Sequence, residues 1–180
     1  MWELINRIIE KWLRYYRKKV FLSKIGSKEK SVRILGKIYL NIPLKKGNLK
    51  IGKNVTIYPG VYFWGDGEII IGDNVMIGKD TIIYSQERVE IGNDTFIAAQ
   101  CYLIDTDHGI NRNEKIYLQE DSVEPVIIGN DVWIAANCTI LKGTVIHDGA
   151  VIGAKALVNK EIDEYGIAVG VPAKVIKYRQ

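Results

Sequence analysis

Residues Ile128-Gly129-Asn130-Asp131-Val132-Trp133-Ile134-Ala135-Ala136-Asn137-Cys138-Thr139-Ile140-Leu141-Lys142-Gly143-Thr144-Val145-Ile146 carry a large aliphatic residue at every sixth position, and the series runs on to Ile152 and Val158. The fifth residue of each hexad is small or β-branched: Val132, Cys138, Thr144, Ala150 and Ala156. Upstream, Ile51-Gly52-Lys53-Asn54-Val55, Ile71-Gly72-Asp73-Asn74-Val75 and Ile91-Gly92-Asn93-Asp94-Thr95 recur with a period of 20 and contain the same hexads. The fourth copy, Ile128 to Val132, follows after 37 residues, which an insertion of about 17 residues near 109–125 explains. A fixed internal period is the signature of a repeat architecture.

The hexad has a direct physical reading. One large and one small interior residue describe a short strand followed by a tight corner. Three such units make a triangular coil of about 18 residues, and successive coils pair as parallel strands at ~4.8 Å. The 20-residue copies need a widened corner, near Gly65-Asp66-Gly67 and Ser85-Gln86-Glu87. Gly, Asn and Asp take the corners because they tolerate positive φ. No coil can bury its apolar face alone, so neighbours stabilise it and the ends need caps. The expected fold is all-β, a parallel coil stack of about six coils, with residues 32–50 as an irregular first coil.

Composition narrows the chemistry. The chain has 180 residues and 20.4 kDa, room for one domain and a short appendage. Its 47% hydrophobic and 26% charged content excludes a disordered chain. Two histidines and two cysteines exclude a disulfide framework, a four-cysteine zinc site and a three-histidine catalytic zinc within one chain. A formal charge of +4 does not point to nucleic acid as a partner.

That charge is uneven. Residues 1–30 hold nine Lys and Arg against three Glu, a balance of +6, which against the chain's +4 leaves the other 150 residues at −2. Within this basic segment Trp2, Ile5, Ile9, Trp12, Leu13, Tyr16 and Val20 fall at helical spacing, with Arg7, Lys11, Arg14 and Lys18 opposite. Such a helix could cap the open end of the stack or lie on an anionic membrane surface, and capping is the favoured expectation. No apolar run approaches the ~20 residues of a membrane span. Charges from Glu3 to Arg14 interrupt what a secretory signal would need as its apolar core, so a cytoplasmic protein with reduced thiols is expected. Three segments result: the helical segment 1–31, the coil body 32–165 with its loop at 109–125, and a basic tail at 166–180.

The hexads, the inserted loop and the closing Gly170-Val171-Pro172-Ala173-Lys174-Val175-Ile176 resemble the hexapeptide-repeat acyltransferases, and among them the sugar and polysaccharide O-acetyltransferases. The resemblance covers roughly residues 50–178 and implies a left-handed parallel β-helix working as a homotrimer, with acetyl-CoA as cosubstrate and no metal. His108, ending Asp105-Thr106-Asp107-His108 where the insertion leaves the coil, matches the family's catalytic base. An imidazole suits that task, since it changes charge near neutral pH. Asp105 and Asp107 are candidates for binding the acceptor or orienting the ring, and equally for plain corner carboxylates.

The same resemblance places Trp133 beside the thioester, where its indole N–H could donate one hydrogen bond. The backbone of Ala135, Ala136, Gly153 and Ala154 matches segments lying along coenzyme A, and Lys155, Lys160, Lys174 and Lys177 neighbour its phosphate end. His147 falls at an outward hexad position and reads as a surface residue. Cys101 and Cys138 share the fifth hexad position and read as stacked interior residues. The expected activity is acetyl transfer to a sugar hydroxyl of a bacterial surface polysaccharide or its precursor, free or lipid-linked. N-acetylation of an amino sugar and a non-catalytic β-helix scaffold are the rivals.

Overall fold

The computed structural model describes residues 2–43 and 47–180; part of the expected first coil, 44–46, lies outside the described residues. An N-terminal helix, α1 (Trp2–Lys24), leads into a triangular stack of short parallel strands. The first face holds Arg33–Ile34, Thr56–Ile57, Met76–Ile77, Phe96–Ile97, Trp133–Ile134, Val151–Ile152 and Gly166–Gly170 in that order. The second runs from Tyr39–Asn41 through Tyr62–Trp64, Ile82–Tyr84, Tyr102–Ile104 and Thr139–Ile140 to Leu157–Val158. Leu49–Ile51, Glu68–Ile71, Arg88–Ile91, Val126–Ile128 and Val145–Ile146 make the third. With seven rungs on the first face, the stack is one coil longer than the expected six.

The hexad positions become vertical columns. Ile57, Ile77, Ile97, Ile134 and Ile152 are in register on the first face, and all are buried. Phe63, Ile83, Leu103, Ile140 and Val158 do the same on the second, and Ile71, Ile91, Ile128 and Ile146 on the third.

The corners are closed by side chains reaching one coil along. Between the third and first faces, Asn54, Asn74, Asp94 and Asp131 adopt φ of 57, 60, 59 and 53°. Next to them runs a ladder of Asx acceptors. The backbone N–H of Lys53 donates to Asp73 Oδ1, that of Asp73 to Asn93, that of Asn93 to Asn130 and that of Asn130 to Asp148, each at 2.7–2.8 Å. The last of these, from the Asn130 N–H, followed by the Asn130 carboxamide, holds the Asp148 carboxyl below the usual carboxylate range.

The fifth hexad position works similarly from inside. Thr81 Oγ1 donates to Ala98 O, Cys101 Sγ to Ala135 O and Cys138 Sγ to Gly153 O, at 3.1, 3.2 and 3.1 Å. Cys101 and Cys138 are one coil apart, buried and unbridged, as their shared hexad position implied. Contact with Cys138 and burial push the Cys101 thiol well up, so it is an inert packing group.

Both ends differ from expectation. The helix does cap the first coil, but through Phe21 and Ile25, with the Phe21 ring 6.4 Å from that of Phe63. Neither belongs to the apolar series from Trp2 to Val20. The far end is no loose tail: Gly166–Gly170 continues the first face and turns back through the antiparallel strand Ala173–Tyr178. The inserted segment also starts sooner than 109. Thr106–Asp107 already pairs antiparallel with Ser122–Val123, and the chain rejoins the third face at Val126.

Asp105 marks that departure. It is buried, and its carboxylate accepts from Ser85 Oγ and from the backbone N–H groups of Gln86, Glu87 and Arg88, all at 2.8–2.9 Å. The widened corner of the coil beneath is therefore built on Asp105, which leaves it no freedom to hold an acceptor. Asp105→Ala strips four donors of their partner and should cost about 3–5 kcal/mol in denaturant unfolding, with Asp105→Asn losing less.

Candidate active site

The hairpin at the base of the inserted loop positions His108. Continuing the register Thr106 with Val123 and Asp107 with Ser122 brings His108 opposite Asp121. The ring Nδ1–H donates to Asp121 Oδ1 at 2.7 Å. This bond fixes the tautomer and leaves Nε2 as an open acceptor. The side chain is 75% exposed, so Nε2 is free to meet a ligand.

Beside it, Lys142 fastens the hairpin to the next coil. Its ammonium donates to Ser122 Oγ at 3.0 Å and to Glu124 Oε1 at 2.8 Å, and lies 4.0 Å from Asp107 Oδ2. The bond to Glu124, helped by the nearby Glu124 and Asp107 charges, holds the ammonium above its ordinary range. Asp107 stays exposed beside His108 and is available to an acceptor. Asp121 was missed in the sequence because it lies inside the loop, where no hexad marks its partner.

Trp133 lies elsewhere. It projects from the first face, half exposed, in register between Phe96 and Val151. A shallow depression there includes Asp94, Asp131 and Arg179, and Arg179 Nη1 donates to Asp131 Oδ2 at 2.9 Å. His108 rises from the edge between the second and third faces, so one chain does not bring His108 and Trp133 together.

Most of the expected coenzyme groups share the edge between the first and second faces. Ala135 N–H donates to Ile152 O, and Lys155 N–H to Ala136 O, at 2.9 and 3.0 Å. This stacks Ala135-Ala136 on Gly153-Ala154-Lys155. Gly153 N–H in turn donates to Ala168 O at 2.8 Å, joining that corner to the closing hairpin. A Cβ on Gly153 would come within 2.6 Å of Val169 Cγ1, which accounts for glycine there. Lys174 is paired with Val169 and Lys177 with Ile167, so both sit on that hairpin.

Lys160 does not join them. The Ile140–Val158 register places it two residues beyond the second face, above Lys142 on the other edge. His147 is a surface residue on a third edge, its Nε2 2.6 Å from Glu161 Oε1.

The repeats match two protein-family models: Bacterial transferase hexapeptide (six repeats) over residues 125–160, and Hexapeptide repeat of succinyl-transferase over residues 68–104. WbbJ of Escherichia coli, named for lipopolysaccharide-biosynthesis O-acetyl transfer, is 35% identical over 142 residues, covering 73% of this chain and 72% of that protein. A Mycobacterium tuberculosis protein named as an acetyltransferase is 34% identical over 186 residues, covering 99% of this chain, which spans 62% of that relative's length. Among solved structures, AntD of Bacillus cereus, an N-acyltransferase in complex with dTDP and 3-hydroxybutyryl-CoA, superposes with a TM-score of 0.78 at 25% identity, covering 93% of this chain and 90% of AntD. The chain belongs to the hexapeptide-repeat acyltransferase family, and its stack is the left-handed parallel β-helix of that family.

Asp121 holds the His108 ring in place, and its part in the reaction can be tested directly. Asp121→Ala should lower kcat by about 10-fold or more, with the KM for acetyl-CoA unchanged and partial rescue by Asp121→Glu. Steady-state kinetics on the three proteins check this.

Proposed function

We propose that this protein transfers an acetyl group from acetyl-CoA to a hydroxyl of a sugar belonging to a bacterial surface polysaccharide or its precursor. The observation that carries the reading is His108, clamped by Asp121 through Nδ1 and open at Nε2. An acceptor hydroxyl placed at Nε2 loses its proton there as its oxygen attacks the thioester carbon. The C–O bond forms, the tetrahedral intermediate collapses with loss of the C–S bond, and the proton passes to the departing thiolate. No covalent acyl-enzyme is involved.

The groups involved lie on separate edges of one chain, and a homotrimer reconciles them. A cleft between subunits would set His108 and Asp107 of one copy against Trp133 and the Ala135-Ala136 edge of the next. The Trp133 N–H then serves as a donor to the thioester or its oxyanion. Gly153, Ala154 and Lys155, with Lys174 and Lys177 on the adjoining hairpin, accommodate the pantetheine arm and the phosphates. The likeness to WbbJ supports oxygen as the acceptor atom. AntD's N-acyl transfer makes an amino sugar the second reading, since the same base serves both. A lipid-linked precursor at the cytoplasmic face of a membrane suits the basic, apolar N-terminal helix.

His108→Ala should reduce turnover by roughly 10²–10⁴-fold while acetyl-CoA binding barely changes. Trp133→Phe should cost about 10-fold or more by removing the N–H alone. His147→Ala is the control and should be nearly silent. Light scattering should give three times the 20.4 kDa chain mass. A monomer would overturn the shared cleft, and full activity in His108→Ala would overturn the base. Calorimetry without coenzyme A binding would favour a scaffold.

A further inference from the structure

The helix α1 has two different sides, and only one is used by the fold. Its last turns rest on the first coil through Phe21, with Arg17 and Val20 partly covered beside it. Leu4, Ile5, Ile8, Ile9, Trp12 and Tyr15 form a continuous apolar stripe whose centre lies roughly 170° around the helix from the Arg17–Phe21 side. All six are exposed; Leu4, Ile8 and Trp12 are 63, 61 and 65% accessible. Capping therefore accounts for Phe21 and Ile25 and leaves the stripe unexplained.

We infer that this stripe seats the protein on the surface of an anionic lipid bilayer. The charge pattern selects that occupant. Between Trp2 and Lys24 there are seven Lys and Arg against two Glu, and the exposed Arg7 and Lys11 flank the stripe along one side. Several copies of so basic a helix would repel one another if packed stripe to stripe, whereas anionic headgroups attract each of them. Trp2 and Tyr16, exposed along one border of the stripe, are amphipathic rings that settle at headgroup depth. The helix lies on the bilayer without crossing it, because no described helix is long and apolar enough to span one. The coil stack, attached at the Phe21 end, stays in water.

The test uses the full chain and co-sedimentation with vesicles of phosphatidylcholine alone or mixed with phosphatidylglycerol. Wild type should pellet with the mixed vesicles and remain in solution with the neutral ones, and added salt should weaken the binding. The double variant Ile8→Glu/Trp12→Glu should lower the partition coefficient at least ~10-fold. Arg7→Glu/Lys11→Glu should bind more weakly than wild type at low salt and equally at high salt. Oligomeric mass, melting temperature and acetyl transfer to a soluble sugar should be unchanged in all three proteins, so this outcome is independent of the proposed reaction. Equal sedimentation of wild type and Ile8→Glu/Trp12→Glu overturns the inference. So does a fall in the double variant's oligomeric mass, which would make the stripe a contact between copies.

Discussion

A coil that turns three corners in 18 or 20 residues must satisfy backbone groups that no strand pairing reaches. Asx side chains meet that need at the corner between the third and first faces, each accepting the N–H of the residue one coil earlier. Hydroxyls and thiols at the fifth hexad position meet it from within, each donating to a carbonyl of the following coil. Both devices need the next coil in register. They convert a corner, ordinarily the weakest part of a parallel sheet's connection, into a contact that locks the stack. The aliphatic columns supply the burial, and the corner bonds hold them in vertical alignment.

What could be read from the sequence follows that division. Column residues such as Ile77 and Ile134, the stacked cysteines and the positive-φ Asx corners were legible because the coil repeats them at fixed spacing. The features that escaped reading depend on contacts without a period. Asp105 looks like any corner carboxylate until Ser85 and three backbone N–H groups are seen converging on it. The His108–Asp121 pair depends on a hairpin register inside the insertion, and Lys160 lies above Lys142 on another edge from Lys155 because it follows the second face and not the first. The C-terminal strand leaves the hexad pattern because it runs antiparallel and so obeys another spacing. At the other end the helical stripe was plain, but its periodicity could not say which side the coil uses.

The positions of the candidate groups around the prism constrain how such a protein can act. His108 on one edge and the Ala135-Ala136 corner on another cannot meet in a rigid coil, since the columns between them are close-packed and do not bend. The proposed function therefore draws their juxtaposition from a second copy of the chain. Rigidity suits the proposed arrangement: Lys142 ties the hairpin to the coil and Cys101 and Cys138 tie the opposite corners, so each half of the proposed composite site has a fixed geometry.

The helix is fastened to the first coil, and His108 leaves from the fourth strand of the second face. Three rung spacings separate those levels, about 14 Å along the coil axis. The coils beneath the loop thus act as a spacer of set height between the end that bears the helix and the level of the imidazole. Its gradation is one coil, so a chain with one coil more or fewer below the loop would move that level by a single rung, ~4.8 Å. Stand-off distance is in this way encoded as a count of repeats, separately from the chemistry of the groups it carries.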